Sequence, residues 1–434
     1  MTIVLLFGYA HVDRPRSMLG YFRIEQYWVD HWPWERGKRT IEKAAPAMIR
    51  MGFLAPTVVD AGPGLKLLLD PRDLVSVNIL RGGDWQPEVW DALAANLPEG
   101  GVLLDVGAHI GFFSMKGALK VGKSGRVVAF EPNPETLKTL RENVRVNDFQ
   151  NVVVVPVACT DREQTLTLFA SPIMNSGASS LARDNADITV EQAPHEYAVR
   201  GRPIDDVVRE LKLTRVDAIK MDIEGAETIA LRGAMETLKR FHPKIVVEVV
   251  ANQLAAMNSN PDELFSVLKA AGYNHGKPLN AGESDWEWTM QDPSLLESAL
   301  QIGASSAAGQ LTWGFHAAGE NRMRWTSGKF AVTLKSPSDA SRKGGVLKFG
   351  FTIPQESIDR LHAITLSARI AGSKLAPETF TTAGEHVYRR EVPASALVNA
   401  AVEVDFSLDR VLPPSKQTPF ETGVMARSVA LESK

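Results

Sequence analysis

At 434 residues the chain is long enough for about three folded units, and its 44% hydrophobic and 23% charged residues suit a globular protein with a sizeable core. A net charge of −3 gives no reason to expect nucleic acid or a membrane surface as partner. Cys159 is the only cysteine, which excludes an internal disulfide and favours a reducing compartment.

No apolar run approaches the length of a membrane span, and M-T-I-V-L-L-F-G-Y-A lacks the basic start of a signal peptide. The expectation is a cytoplasmic protein with no membrane span. Residues 1–54 form an aromatic-rich extension in which Tyr21, Phe22, Tyr27, Trp28, Trp32 and Trp34 are interleaved with charges. Packing on a neighbouring domain or subunit is favoured over a sugar-stacking wall, and a homo-oligomer stays open. Short strands and turns follow to Leu80, and Pro87 opens a helix reaching Leu97.

Val102 to Val106 reads as a strand buried on both faces. Gly107 and Gly111 bracket the next turn, Phe112 to Val121 has helical spacing, and Val127 to Phe130 is a second strand ending in Glu131. Asn133 precedes a helix to about Asn147, and Val152 to Val157 is a third strand. Strand, glycine turn, helix and strand with an acid at its tip make half of a nucleotide-binding α/β sheet.

Charge narrows the nucleotide. The spacing is G-x-x-x-G, and Asp105, read at the mouth of the turn, would repel the pyrophosphate of a dinucleotide. It would attract a ligand carrying an ammonium and a sulfonium, as S-adenosylmethionine does. Gly107, Ala108, His109 and Gly111 would then cradle the cofactor, and Glu131 would accept its two ribose hydroxyls.

Leu166, Leu168 and Ala170 alternate on a further strand, and residues 171–200 form a long polar loop read as a lid. Its Ser176, Ser179 and Ser180 offer hydroxyl donors to the cofactor carboxylate or to a sugar hydroxyl. In the strand from Val216 to Ile223, Lys220, Asp222 and Glu224 alternate with Met221 and Ile223 and share one face. Glu248 stands on the next strand. An acceptor hydroxyl needs a base, for which Asp222 comes first, Glu224 second and His109 third. Asp222, Glu224 and Glu248 supply the oxygen ligands of an alternative Mg²⁺ site.

Four ordered motifs, L-D-V-G-A-H-I-G-F-F-S, A-F-E-P-N-P, N-S-G-A-S-S-L and I-K-M-D-I-E-G-A-E, resemble the FkbM family of S-adenosylmethionine-dependent O-methyltransferases. The match covers about residues 55 to 275; His109 stands where the family pattern has Asn. The resemblance implies a Rossmann-like, seven-stranded methyltransferase sheet with helices on both faces over residues 55–292. It also implies S-adenosylmethionine as methyl donor, S-adenosylhomocysteine as product, and a glycan or small-molecule acceptor. Ala158 and Asp161 would border the adenine, with Asn133 and Asp222 also on the cofactor. Lys220 and Glu248 would face the acceptor.

Residues 293–312 read as a linker, small and polar around I-G-A-S-S-A-A-G-Q. From 313 to 434 short alternating strands between turn signals predict an all-β sandwich. W-G-F-H-A-A-G-E-N-R-M-R-W is similar to accessory units of bacterial glycan-modifying enzymes. No catalytic cluster is visible there.

Overall fold

The computed structural model describes residues 14–31, 44–186, 194–280, 284–290, 292–318, 323–414 and 421–434. Trp32 and Trp34 lie outside them, as does the side chain of Trp28. The chain divides into two compact units: Met1–Ala271 with Pro278–Glu287, and Gly272–Lys277 with Trp288–Lys434.

The first unit is built on parallel strands β1 (Val102–Val106), β2 (Arg126–Phe130), β3 (Val152–Val155), β4 (Ala218–Met221) and β5 (Lys244–Glu248). Their order across the sheet is β5, β4, β1, β2, β3. The central run is apolar at nearly every position because helices cover both faces, so Leu103, Leu104, Val127, Val128 and Ile219 are fully buried. Asp285–Thr289 and then His275–Pro278 continue the sheet beyond β5.

Helix Phe112–Val121 follows β1 and helix Pro134–Val146 follows β2, the latter capped by Asn133, whose side chain accepts from the Glu135 amide at 3.0 Å. The order reverses at β1, between β2 and β4, and open α/β sheets place their ligands at such a point.

Ahead of the sheet, Thr57–Gly62 and Leu65–Leu69 pair antiparallel, and helix Leu74–Gly82 follows, capped by Asp73. The aromatic-rich extension joins this core. Met18 and Phe22 of helix Arg14–His31 are buried in the same hydrophobic cluster as Ile79 and Leu80, and Arg81 donates to Glu25 at 3.1 Å. A three-stranded sheet, Ala158–Cys159, His195–Arg202 and Gln164–Ala170, lies beyond β3 in sequence.

The second unit is all-β and sandwich-like, as expected, in the form of one nearly closed sheet. Among the described residues nine strands form one continuous sheet, with Ser373–Phe380 and Gly384–Val392 at the ends of the main path. Those two strands are tied by side chains: Tyr388 Oη and Arg390 Nε each donate to the Ala376 carbonyl at 2.7 Å. The nearly closed sheet wraps one core, in which Phe330 and Phe406 stack at 5.0 Å and Phe349 lies 4.7 Å from Phe406. Alternation predicts strands equally well for two sheets and for one curled sheet.

The linker expectation gives way. Ala299–Gln301 is a strand paired with Ser428, Val429 and Ala430, and Leu300, Ile302 and Ala307 are buried in this core. Small residues between them mimic a linker while the few apolar ones anchor the segment.

Candidate active site

The site forms where β1, β2 and β4 end. Gly107 turns the chain out of β1 at φ 80°, and a Cβ there would lie 1.9 Å from the Asp222 carbonyl oxygen. Only glycine allows the two strand ends so close. The amides of Gly107 and Ala108 donate to the Phe130 carbonyl at 3.1 and 2.9 Å, and that of Gly111 closes the turn on Ala108 O at 2.8 Å.

Glu131 is held by the same turn: its carboxylate accepts the amides of His109 and Asn133, both at 2.8 Å. A carboxylate has about four acceptor positions, so two remain for a vicinal diol. A partly open pocket lies here, lined among others by His109, Glu131, Ala158, Ser176, Asp222 and Glu224. Phe130, Val157, Leu168 and Leu181 supply apolar walls for a planar base.

Of the sequence-predicted residues, Gly107, His109, Glu131, Ala158, Ser176, Ser179, Asp222 and Glu224 line this cavity. Asp105 does not. It pairs on both sides within the sheet, is fully buried, and takes the Ser114 hydroxyl at 2.5 Å, while its Oδ1 has no hydrogen-bond partner. It therefore sits beneath the turn rather than at its mouth. Burial pushes its carboxyl pKa up, with Lys220 pulling the other way.

Asp161 is likewise misplaced by the sequence. It is exposed in the turn after Cys159 and pairs with Arg162 at 3.6 Å. Ala158 and Cys159 hold the wall instead, and burial drives the Cys159 thiol far above its ordinary pKa. Ala108, Gly111, Asn133, Ser180, Lys220 and Glu248 are not among the pocket's lining residues. Asn133 Nδ2 donates to Ser179 Oγ at 3.2 Å, and Ser180 Oγ donates to the Glu224 carbonyl at 2.7 Å.

Lys220 organises the acids. Its Nζ donates to the Gly107 carbonyl at 3.0 Å and lies 3.3 Å from Asp222 Oδ2. Burial opposes its charge, and the carboxylates of Asp222 and Asp105 more than offset that, raising its pKa. Asp222, Glu224 and Glu248 bring carboxylate oxygens within 4.8 Å of one another. Burial, then the charge of Asp222, pushes Glu224 up to about 8 and Glu248 well above its usual range. Beside them, Glu227 is buried under the Ile223 and Gly225 amides and is pushed up to about 7, mainly by desolvation. As an oxygen donor set the three acids fit a hard cation, and Lys220 already supplies one positive charge there.

The sequence reading missed the supports of the site. Ser176 Oγ donates to Asp73 Oδ1 at 2.9 Å and lies 2.6 Å from His109 Nε2, fastening the turn Ile173–Ala178 to both the β1 loop and the Leu74 helix cap. A hydroxyl has one proton, so His109 Nε2 must be the donor in that pair. Asp73 is recognisable in sequence only as a helix cap. Gln253 and Asn185, which bind Glu224 by side chain and carbonyl respectively, carried no motif.

Residues 105–274 match the model of the methyltransferase FkbM domain. The AMB antimetabolite synthetase AmbE of Pseudomonas aeruginosa is 28% identical over 43% of this chain and 10% of its own length. The hexuronic acid methyltransferase AglP of Haloferax volcanii is 27% identical over 42% of this chain and 67% of its own. The 2-O-methyltransferase NoeI of Sinorhizobium fredii is 27% identical over 32% and 59%. The chain thus spans a small part of the synthetase and about two thirds or less of the other two.

Proposed function

The chain carries a methyltransferase FkbM domain over residues 105–274; from that premise we propose that it transfers the methyl group of S-adenosylmethionine to a hydroxyl of a sugar, in a surface polysaccharide or another glycan. The observation that carries the reading is the cavity itself. Glu131, with acceptor positions to spare for the ribose, and Asp222 and Glu224, next to Lys220, line one pocket. When bound there, the cofactor supplies an electrophilic methyl group. Glu131 holds its ribose, and the apolar wall from Phe130 to Leu168 takes its adenine.

Asp222 takes the proton of the acceptor hydroxyl as the new bond forms. Positioning of the two reactants contributes roughly 7 to 11 kcal/mol of such a barrier, and a placed base adds roughly 10² to 10⁴ in rate. Glu224, with its pKa near 8, enters mostly protonated at neutral pH and donates rather than accepts. The hexuronic acid and 2-O-methyltransferase relatives support a sugar hydroxyl as acceptor. Incubation with isotopically labelled S-adenosylmethionine and a set of glycans tests the reading by mass spectrometry. Label in a sugar ether bears it out; label only on nitrogen, on carbon or on no carbohydrate refutes it.

The second unit, with no role assigned in the chemistry, is proposed to recruit a polymeric acceptor or a partner.

A further inference from the structure

A second, open groove adjoins the cofactor cavity. Asn175, Ala178, Asp184, Asn185, Ala186, Glu224 and Gln253 line it, and Glu224 lines both spaces. The turn Ile173–Ala178 partitions them: Ser176 and Gly177 line the first pocket, Asn175 and Ala178 the groove. A methyl acceptor has to approach the residues that meet the cofactor, and the shared Glu224 marks where this groove does so.

The groove's polar atoms are unevenly disposed. Asn185 Nδ2 donates to the carbonyls of Glu224 and Gln253, both at 2.9 Å, which uses both of its N–H groups and leaves Oδ1 as an acceptor. Two carbonyl partners fix that amide orientation, since an amide oxygen there would face two oxygens. Gln253 Nε2 donates to Glu224 Oε2, leaving its Oε1 as an acceptor as well. Asp184 adds an exposed carboxylate. Among the described lining residues there is no lysine, arginine or histidine. The two amide oxygens and the Asp184 carboxylate ask for hydrogen-bond donors from a ligand, and that carboxylate repels an anion.

We infer that this groove is the acceptor subsite and that it takes a neutral polyhydroxylated or an amino sugar, not one carrying a carboxylate. The inference rests on the methyltransferase reading above and narrows its substrate class. The full chain saturated with S-adenosylhomocysteine is titrated with methyl glucoside, methyl glucosaminide and methyl glucuronide, with binding read by saturation-transfer NMR. The glucoside and glucosaminide are expected to bind, and the glucuronide at least about tenfold more weakly, as like-charge contact requires. Asp184→Asn is expected to narrow that gap while S-adenosylhomocysteine affinity stays unchanged. A glucuronide that binds as well as the glucoside overturns the inference and leaves the sugar reading standing. So does a preference untouched by both Asp184→Asn and Gln253→Ala. Absence of binding by all three sugars in a cofactor-saturated protein overturns the sugar reading itself.

Discussion

Lys220 on β4 donates to the carbonyl of Gly107 on the turn after β1 at 3.0 Å, so one buried ammonium ties that glycine turn to the strand that leads into Asp222. Removing it should act on both. Lys220→Met leaves the acids without their cation and is expected to cost about 3–5 kcal/mol of stability, as breaking a buried pair does. Denaturant unfolding of the two proteins at pH 7 checks it; equal midpoints would show that the pair contributes nothing.

Asp222→Asn keeps shape and removes the base. Turnover is expected to fall roughly 10²- to 10⁴-fold with S-adenosylhomocysteine affinity nearly unchanged. Initial rates beside calorimetric titration separate the two effects. Near-normal turnover would transfer the role to His109 or to a bound metal.

Glu131→Ala should weaken the cofactor by about 1–3 kcal/mol, the range for hydrogen bonds to a charged acceptor. It also frees the amides of His109 and Asn133, so a thermal melt of the free protein belongs beside the calorimetry. Unchanged affinity would place the ribose elsewhere.

Chelation tests the carboxylate cluster. Because Lys220 already stands at Asp222, turnover is expected to survive EDTA. Loss on chelation, restored by Mg²⁺, would instead assign Asp222, Glu224 and Glu248 as metal ligands.

Stability should decline as pH rises from about 4.5 toward 7. Glu227 is raised to about 7 in the fold, so the native state holds its proton where the unfolded chain has released it. The contribution is present below the unfolded pKa and lost by the folded one. Glu227→Gln keeps an oxygen for the Ile223 and Gly225 amides and should flatten that decline by up to about 3 kcal/mol. Unfolding free energies of both proteins at pH 5 and pH 8 decide it; parallel slopes would assign the dependence to other groups.

What the sequence made legible follows from how local each signal is. The β1 strand, its glycine turn and the place of Glu131 just past β2 are written in adjacent residues, and the structure has the strand, the turn and the strand end at those positions. Asp105 and Asp161 were misjudged because a residue inside a strand and one past its tip differ by a position or two. Only the pairing of Asp105 with neighbours on both sides, and the exposure of Asp161, separate them. Asp73, Asn185 and Gln253 reach the site through contacts distant in sequence, for which one chain offers no pattern. The curl of the second unit's sheet was hidden for the same reason.

The assignment of Gly272–Lys277 to one unit and Pro278–Glu287 to the other means that the polypeptide leaves the first unit, returns to it and leaves again. A gene rearrangement that added or deleted the C-terminal unit at any single breakpoint would strand a segment in the wrong half. The two units are therefore poor candidates for exchange as interchangeable modules. A working hybrid would need several coordinated junctions across residues 272–287.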